Sequence, residues 1–69
     1  MIVGKKYKIK DSECFDRYNL EPYGTIVKCV EDQGNNWYAV TLINACGRQI
    51  REGISGWLIN TTTTYYDEI

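Results

Sequence analysis

Residues 25–44, TIVKCVEDQGNNWYAVTLIN, contain two β-prone runs separated by a turn signal. The first run, 25–32, is rich in Val, Ile and Thr, and the second, 37–44, combines aromatic with β-branched residues. Such residues favour strands, whereas the intervening QGNN of 33–36 is typical of a tight turn. The sequence therefore predicts a β-hairpin over 25–44.

Alternation within the hairpin indicates which face of its second strand is buried. Successive side chains of a strand point to opposite faces, so the set Tyr38, Val40 and Leu42 is expected to face the core. Trp37 then points outward beside the turn, together with Ala39 and Thr41. The sequence predicts that Trp37 either anchors a binding partner or covers the mouth of the fold as a structural lid.

Further strands are predicted on both sides of the hairpin. Residues 3–10 alternate between apolar and lysine positions, which is typical of a half-buried strand. Residues 49–54 suit a fourth strand, and a last strand is predicted from Trp57 through the threonines of 61–64. The segment 11–24 is rich in turn formers and is expected to be a long loop with one short helical turn.

These five short strands in a chain of 69 residues predict a single all-β domain, 1–69. Small sheets avoid exposed edges by curling, and the fold class we expect is a small, partly open five-stranded barrel with a long early loop. Alternation in the last strand makes Leu58 the deepest residue there, with Trp57 half-covered and Ile59 at the surface.

Composition restricts the chemistry that the chain can perform. The chain has no histidine, three scattered cysteines and six isolated glycines, which predicts no metal site, no phosphate-binding loop and no cofactor. The absence of histidine removes the usual general base, and the sequence indicates no base, nucleophile or pocket that would act with the carboxylates of the early loop, so we expect a protein that is not an enzyme. The net charge of −1 argues against strong electrostatic affinity for nucleic acid.

The same composition favours a cytoplasmic protein. No apolar run is long enough for a signal peptide or for the roughly 20 residues of a membrane span. The odd number of cysteines, Cys14, Cys29 and Cys46, indicates reduced thiols, with Cys29 in the core, although one disulfide stays an alternative.

The segments YGTIVKCVEDQGNNWYAV and GRQIREGISGWLI resemble the second half of an SH3-like barrel, and bacterial SH3 domains in particular. The matching positions are Gly24, the Trp37–Tyr38 pair, Val40 and the Gly56–Trp57–Leu58 step, and the resemblance covers about residues 23–60. The Ala-Leu-Tyr-Asp-Tyr signature of signalling SH3 domains is absent, and Ile59 stands where their proline follows the Gly-Trp-Leu step. The resemblance thus implies the fold and a binding module, while these two departures put the proline-rich ligand class in doubt.

In an SH3-like barrel the aromatic residues of the early loop would lie beside Trp37 and form an apolar floor with an acidic rim. This implies a surface for a protein segment made of Trp37, Tyr18, Tyr23, Phe15, Asp16, Glu21 and Ile59. The alternative for Phe15 is that it packs inward, with the acidic residues simply solvating a loop.

The lysines of the first strand carry a second hypothesis, in which the chain is a nucleic-acid-associated barrel of the KOW type that uses Lys5, Lys6, Lys8 and Lys10. Such a stripe also serves as a solvated edge that blocks aggregation. A third hypothesis is an assembly subunit whose exposed apolar residues are buried by other copies of the chain. The small size fits an accessory protein, such as one encoded by a phage or mobile element.

Overall fold

The computed structural model describes residues 1–18, 20–47 and 52–69, and the side chains of all of these except 16–18. Its elements follow in chain order: β1 (Lys6–Ser12), a 3-10 helix (Glu13–Tyr18), β2 (Leu20–Gly34), β3 (Trp37–Gly47), β4 (Trp57–Asn60) and β5 (Thr64–Glu68). The five strands form one antiparallel sheet in the order β4-β3-β2-β1-β5. The all-β prediction is confirmed, and so is the short helical turn in the early segment. The rest of the predicted loop 11–24 is wrong, because 11–12 belong to β1 and 20–24 belong to β2.

The sheet is curled, although it is not closed. β4 and β5 are its two outer strands, and a flat sheet would separate them by four strand spacings, roughly 19 Å. Only three residues link Asn60 at the end of β4 to Thr64 at the start of β5, and four peptide steps span at most about 14 Å. The described part of the sheet is therefore bent into an open, barrel-like shape.

The β2–β3 hairpin forms as the sequence predicts. Gly34 pairs with Trp37, so only two residues, Asn35 and Asn36, make the connection. Both have positive φ, 52° and 66°, which is the backbone of a type I′ turn and which Asn tolerates better than most residues. The twist of this turn matches the twist of the strands, and the turn sets the register that places Trp37 at the start of β3.

One prediction about the later strands is wrong, and a second is wrong in the part that the structure describes. The threonine run does not continue β4, because residues 61–63 form a turn between β4 and β5. The Asn60 side chain explains the break, since its Oδ1 accepts a hydrogen bond from the Thr62 N–H at 2.8 Å, as in an Asx turn. The predicted strand 49–54 falls partly outside the described residues. Its described part, 52–54, is not a strand. The Gly53 N–H nevertheless donates to the Leu42 carbonyl, and the Leu42 N–H donates to the Ile54 carbonyl.

The predicted register of β4 is also wrong. Trp57 is only 7% exposed and Ile59 is fully buried, whereas Leu58 is 47% exposed. The pairing with β3 gives the reason, because Val40 lies opposite Trp57 and is itself fully buried. Residues directly opposite each other share a face of the sheet, so Trp57 points into the core and Leu58 points to the outside.

The core consists of the inward-facing side chains of the sheet together with Phe15 of the 3-10 helix. Alternation in β1 is confirmed, since Tyr7 and Ile9 are buried between exposed lysines. In β3, Val40 and Leu42 are fully buried and Tyr38 half-buried, as predicted. The buried apolar cluster consists of Tyr7, Ile9, Phe15, Leu20, Val27, Cys29, Val40, Leu42, Ala45, Trp57 and Ile59.

Candidate binding surface

Trp37 lies at the surface, on the outer face of β3, as its sequence position predicts. It is the first residue of the strand and is 40% exposed. Its position follows from the two-residue turn before it and from the pairing with Asn60 on β4. A tryptophan that stays this accessible leaves apolar surface in water, and such residues are enriched in interfaces.

Leu58 extends this apolar surface, and the sequence reasoning missed it. Leu58 lies directly opposite Ala39, the next residue after Trp37 on the same face of β3. Trp37 and Leu58 are therefore diagonal neighbours, about 7–8 Å apart at their Cα atoms. Ala39 faces outward as predicted, yet it is only 6% exposed, as expected for a small side chain between larger ones. We call Trp37, Ala39 and Leu58 the Trp37 patch.

A carboxylate borders the Trp37 patch on the side of β2. Glu31 pairs with Ala39 and so shares its face, across the strand from Leu58. The Glu31 side chain is exposed, and its Oε1 accepts a hydrogen bond from Gln33 Nε2 at 2.9 Å. The next acid, Asp32, is used locally, since its Oδ1 accepts a hydrogen bond from the Gly34 N–H. Glu31 thus supplies the negative charge beside the apolar pair.

The structure does not bring the other predicted residues to Trp37. Tyr23 and Glu21 are exposed, but Glu21 pairs with Cys46, whereas Gly34 pairs with Trp37. Cys46 lies nine positions after Trp37 in β3, a path of about 30 Å along the strand. Tyr23 and Glu21 therefore lie at the opposite end of the β2–β3 ladder from the Trp37 patch.

Phe15 and Ile59 are fully buried, so their predicted placement at a binding surface is wrong, and the alternative that Phe15 packs inward is confirmed. The Phe15 ring packs on the Trp57 ring, and Ile59 shares the inner face of the sheet with its partner Tyr38. The side chains of Tyr18 and Asp16 lie outside the described part of the structure. Their assignment to the surface stays a prediction.

The lysine stripe of β1 is partly neutralised by β5. Lys10 Nζ lies 3.0 Å from Asp67 Oδ2, and Lys5 Nζ lies 3.9 Å from Glu68 Oε1. Lys6 and Lys8 are exposed, and Lys6 stands directly opposite Lys28 of β2. The basic surface is thus smaller than the sequence alone suggests, and its center is the Lys6–Lys28 pair.

The three cysteines are free thiols at different depths. Cys29 is buried in the core as predicted, and burial raises the pKa of its thiol above the ordinary value of 9.0. Cys14 is half-buried, and its Sγ accepts a hydrogen bond from the Asn60 N–H at 3.5 Å. Within 1–18, 20–47 and 52–69, no cluster of His, Cys, Asp and Glu side chains is arranged to hold a metal ion.

No helix in the described segments is long and apolar enough to cross a membrane. Comparison of the chain with known protein families, with curated proteins and with solved structures finds no match.

Proposed function

We propose that the chain is a small SH3-like barrel that binds a segment of another protein, without catalysis, through the Trp37 patch. The observation that carries this proposal is the pairing of two exposed apolar side chains, Trp37 and Leu58, as diagonal neighbours on one face. Contiguous exposed apolar surface with a polar rim is typical of interaction sites, and Trp37 and Leu58 form such a surface beside Glu31.

The SH3-like assignment is supported by the curled five-stranded antiparallel sheet and by the early segment that contains the 3-10 helix. It is also supported by Gly24, one of the positions of the resemblance. Gly24 has a φ of 88°, and a Cβ atom there would lie 3.2 Å from Cys46 Sγ. The positive φ and the nearby Sγ atom both favour glycine over a residue with a side chain, so the structure explains why a glycine stands at position 24.

Charge suggests what the bound segment contains. An apolar side chain of the partner would cover Trp37 and Leu58, and a Lys or Arg beside it would meet Glu31. The aromatic anchor supplies most of the affinity in such interfaces, while the charged pair at the rim acts more on specificity and association rate. A cytoplasmic accessory protein, encoded by a phage or mobile element, stays a proposal that rests on the sequence.

The test is a displayed peptide library selected on the wild-type chain, with the affinities of the enriched peptides then measured on variants. Trp37→Ala should weaken binding by about 2 kcal/mol, roughly 30-fold, and Leu58→Ala should weaken it too. Glu31→Gln should reduce affinity for peptides with a basic residue. Tyr65→Ala, which removes an exposed aromatic ring from β5 instead, is the matched control and should bind normally.

Two outcomes would overturn the proposal. One is that the selected peptides bind Trp37→Ala and Leu58→Ala as tightly as the wild type while both variants remain folded. The other is that binding to nucleic acid, rather than to any peptide, is lost in Lys6→Ala and Lys8→Ala. Such binding would fall steeply with salt because phosphate contacts release counterions, and it would favour the KOW-type alternative.

A further inference from the structure

The outer edge of β5 has unpaired backbone groups. The Ile69 N–H donates to the Lys6 carbonyl at 3.1 Å, and Asp67 lies opposite Lys8 in the same register. Hydrogen-bonding groups alternate sides along a strand, so the N–H and C=O groups of Tyr66 and Glu68 point away from β1. Among the described residues, no strand pairs with this edge.

The other outer strand, β4, is better protected than β5. The Thr61 N–H donates to the Asn36 carbonyl, so the alternation turns the N–H groups of Leu58 and Asn60 away from β3. The Asn60 N–H is already taken by Cys14 Sγ. The edge of β4 therefore offers little continuous backbone to a new strand, whereas the edge of β5 offers an uninterrupted stretch.

Charged side chains normally discourage pairing at such an edge, and the two acidic residues of β5 each have a lysine of the same chain nearby that offsets part of their charge. Asp67 forms an ion pair with Lys10 of β1, and Glu68 lies near Lys5, the residue before β1. Tyr65 is 68% exposed, and Ile69 is exposed to a similar extent. The edge thus combines unpaired backbone, carboxylates that each have a lysine of the same chain nearby, and accessible apolar surface.

We propose that β5 pairs antiparallel with β5 of a second copy of the chain, around a two-fold axis at Tyr66. In this register Tyr66 faces Tyr66 of the second copy, Thr64 faces Glu68, and Tyr65 faces Asp67. The outward groups of Tyr66 and Glu68 then form ladder hydrogen bonds, and the two sheets join edge to edge. Such an interface is isologous, as two-fold symmetry requires.

The charge of Asp67 favours the register with the two-fold axis at Tyr66 over the register with the axis at Asp67. A two-fold axis at Asp67 would place the Asp67 carboxylates of both copies directly opposite each other, and like charges in that position are destabilising. With the axis at Tyr66, each Asp67 faces a Tyr65 hydroxyl, which is able to donate a hydrogen bond to the carboxylate. The short edge buries a small area, so self-association is expected to be weak and concentration-dependent.

Sedimentation equilibrium from micromolar to millimolar concentration tests the proposal, with folding of each dilute variant checked by circular dichroism. Tyr65→Asp sets two carboxylates opposite each other across the axis and should weaken dimerisation by about tenfold or more. Tyr65→Lys should retain or tighten the dimer because the ammonium faces Asp67. Trp37→Ala should not change it, which separates this edge from the Trp37 patch.

Within the chain, Asp11 lies opposite Tyr65, so Tyr65→Asp also sets two carboxylates opposite each other inside the monomer. If that variant fails to fold, a variant that changes only the backbone tests the proposal instead. The chain can be assembled chemically by ligation at Cys46, with an N-methyl group on Glu68 that removes one outward N–H. This variant should be monomeric, and N-methylation of Leu58 on β4 is the matched control that should still dimerise. A wild-type chain that stays monomeric throughout, or a dimer that survives methylation of Glu68, would overturn the proposal.

Discussion

The rings of Phe15 and Trp57 lie with their centroids 5.4 Å apart and their planes inclined at 38°. This contact joins the 3-10 helix to β4 inside the core, where both side chains are buried. Aromatic pairs in this geometry stabilise beyond the area they bury. The tryptophan of the GISGWLIN segment is therefore a structural residue, and its neighbour Leu58 is the one that reaches the surface.

The contact between Phe15 and Trp57 determines which substitution in β4 lowers the free energy of unfolding most. Trp57→Ala should cost about 3–5 kcal/mol, because it leaves a cavity against Phe15, and this is enough to unfold a domain of this size. Leu58→Ala should change the free energy of unfolding by only about 0.5 kcal/mol. Urea denaturation of both variants measures the difference, and the reverse order would show that the β3–β4 register is shifted by one residue.

A buried pair of hydroxyl groups should couple β1 to β5. Ser12 Oγ and Thr64 Oγ1 are 2.8 Å apart, and Ser12 Oγ also accepts a hydrogen bond from the Cys14 N–H. Ser12→Ala leaves both partners unpaired and should cost about 1–3 kcal/mol. Thr64→Val should cost less, because Ser12 keeps its bond to Cys14.

A double-mutant cycle by urea denaturation measures the coupling between the two hydroxyl groups. Ser55→Ala, at an exposed serine, is the control and should be close to neutral. Strictly additive effects of the two core substitutions would contradict the predicted hydrogen bond.

Alkaline pH should destabilise the fold through Cys29. Burial raises the pKa of this thiol above 9.0, so the folded state keeps its proton when the unfolded state has lost it. The stabilisation is complete below pH 9.0 and is lost as the pH rises through the folded pKa. Burial, followed by the neighbouring Tyr7, also raises the pKa of Tyr66 above 10.0, which continues the decline.

Thermal denaturation from pH 7 to 10.5 should therefore show a steeper loss of stability above pH 9 in the wild type than in Cys29→Val. Cys14→Ala, which leaves the buried thiol in place, is the control and should retain the steep loss. Equal pH profiles for the wild type and Cys29→Val would contradict the assignment.

The Lys6–Lys28 pair should respond to a change of charge. These lysines are directly opposite each other on β1 and β2, and replacing repulsion by attraction in such a pair is worth about 0.2–1 kcal/mol. Lys28→Glu should therefore raise the free energy of unfolding, by an amount that shrinks with added salt. Lys8→Glu is the contrast, since it sets a carboxylate opposite Asp67 and should lower stability.

The parts of the fold that the sequence predicts are those with a single dominant signal. The hairpin is marked by its turn residues, and β1 by strict alternation of lysines with Tyr7 and Ile9. β4 has no such signal, because Trp57, Leu58 and Ile59 are all apolar and a strand of four residues does not reveal which face is inside. The break after β4 was missed because threonine favours strands, while the Asn60 side chain closes a turn there.

Trp37 is the only residue of the Trp37 patch that the sequence assigns to a binding surface. Trp37 follows the turn directly, so its outward direction depends on short-range signals alone. Leu58 was missed because its direction depends on the β4 register, and the same error placed Ile59 at the surface. Phe15 was misplaced because its burial depends on a contact with Trp57, more than forty residues away in the chain, which no local pattern reveals.

The pairing of β1 with β5 has a consequence for how fast the chain folds. The β2–β3 hairpin closes over two residues, whereas Ser12 and Thr64 meet across 52 positions, and closing the longer loop has the larger entropic cost. We expect the hairpin to be present in the folding transition state and β5 to dock after it. Asn36→Ala should then slow folding, while Thr64→Val should mainly accelerate unfolding. Stopped-flow measurements in urea distinguish the two, and a folding rate that falls with Thr64→Val would reverse this order.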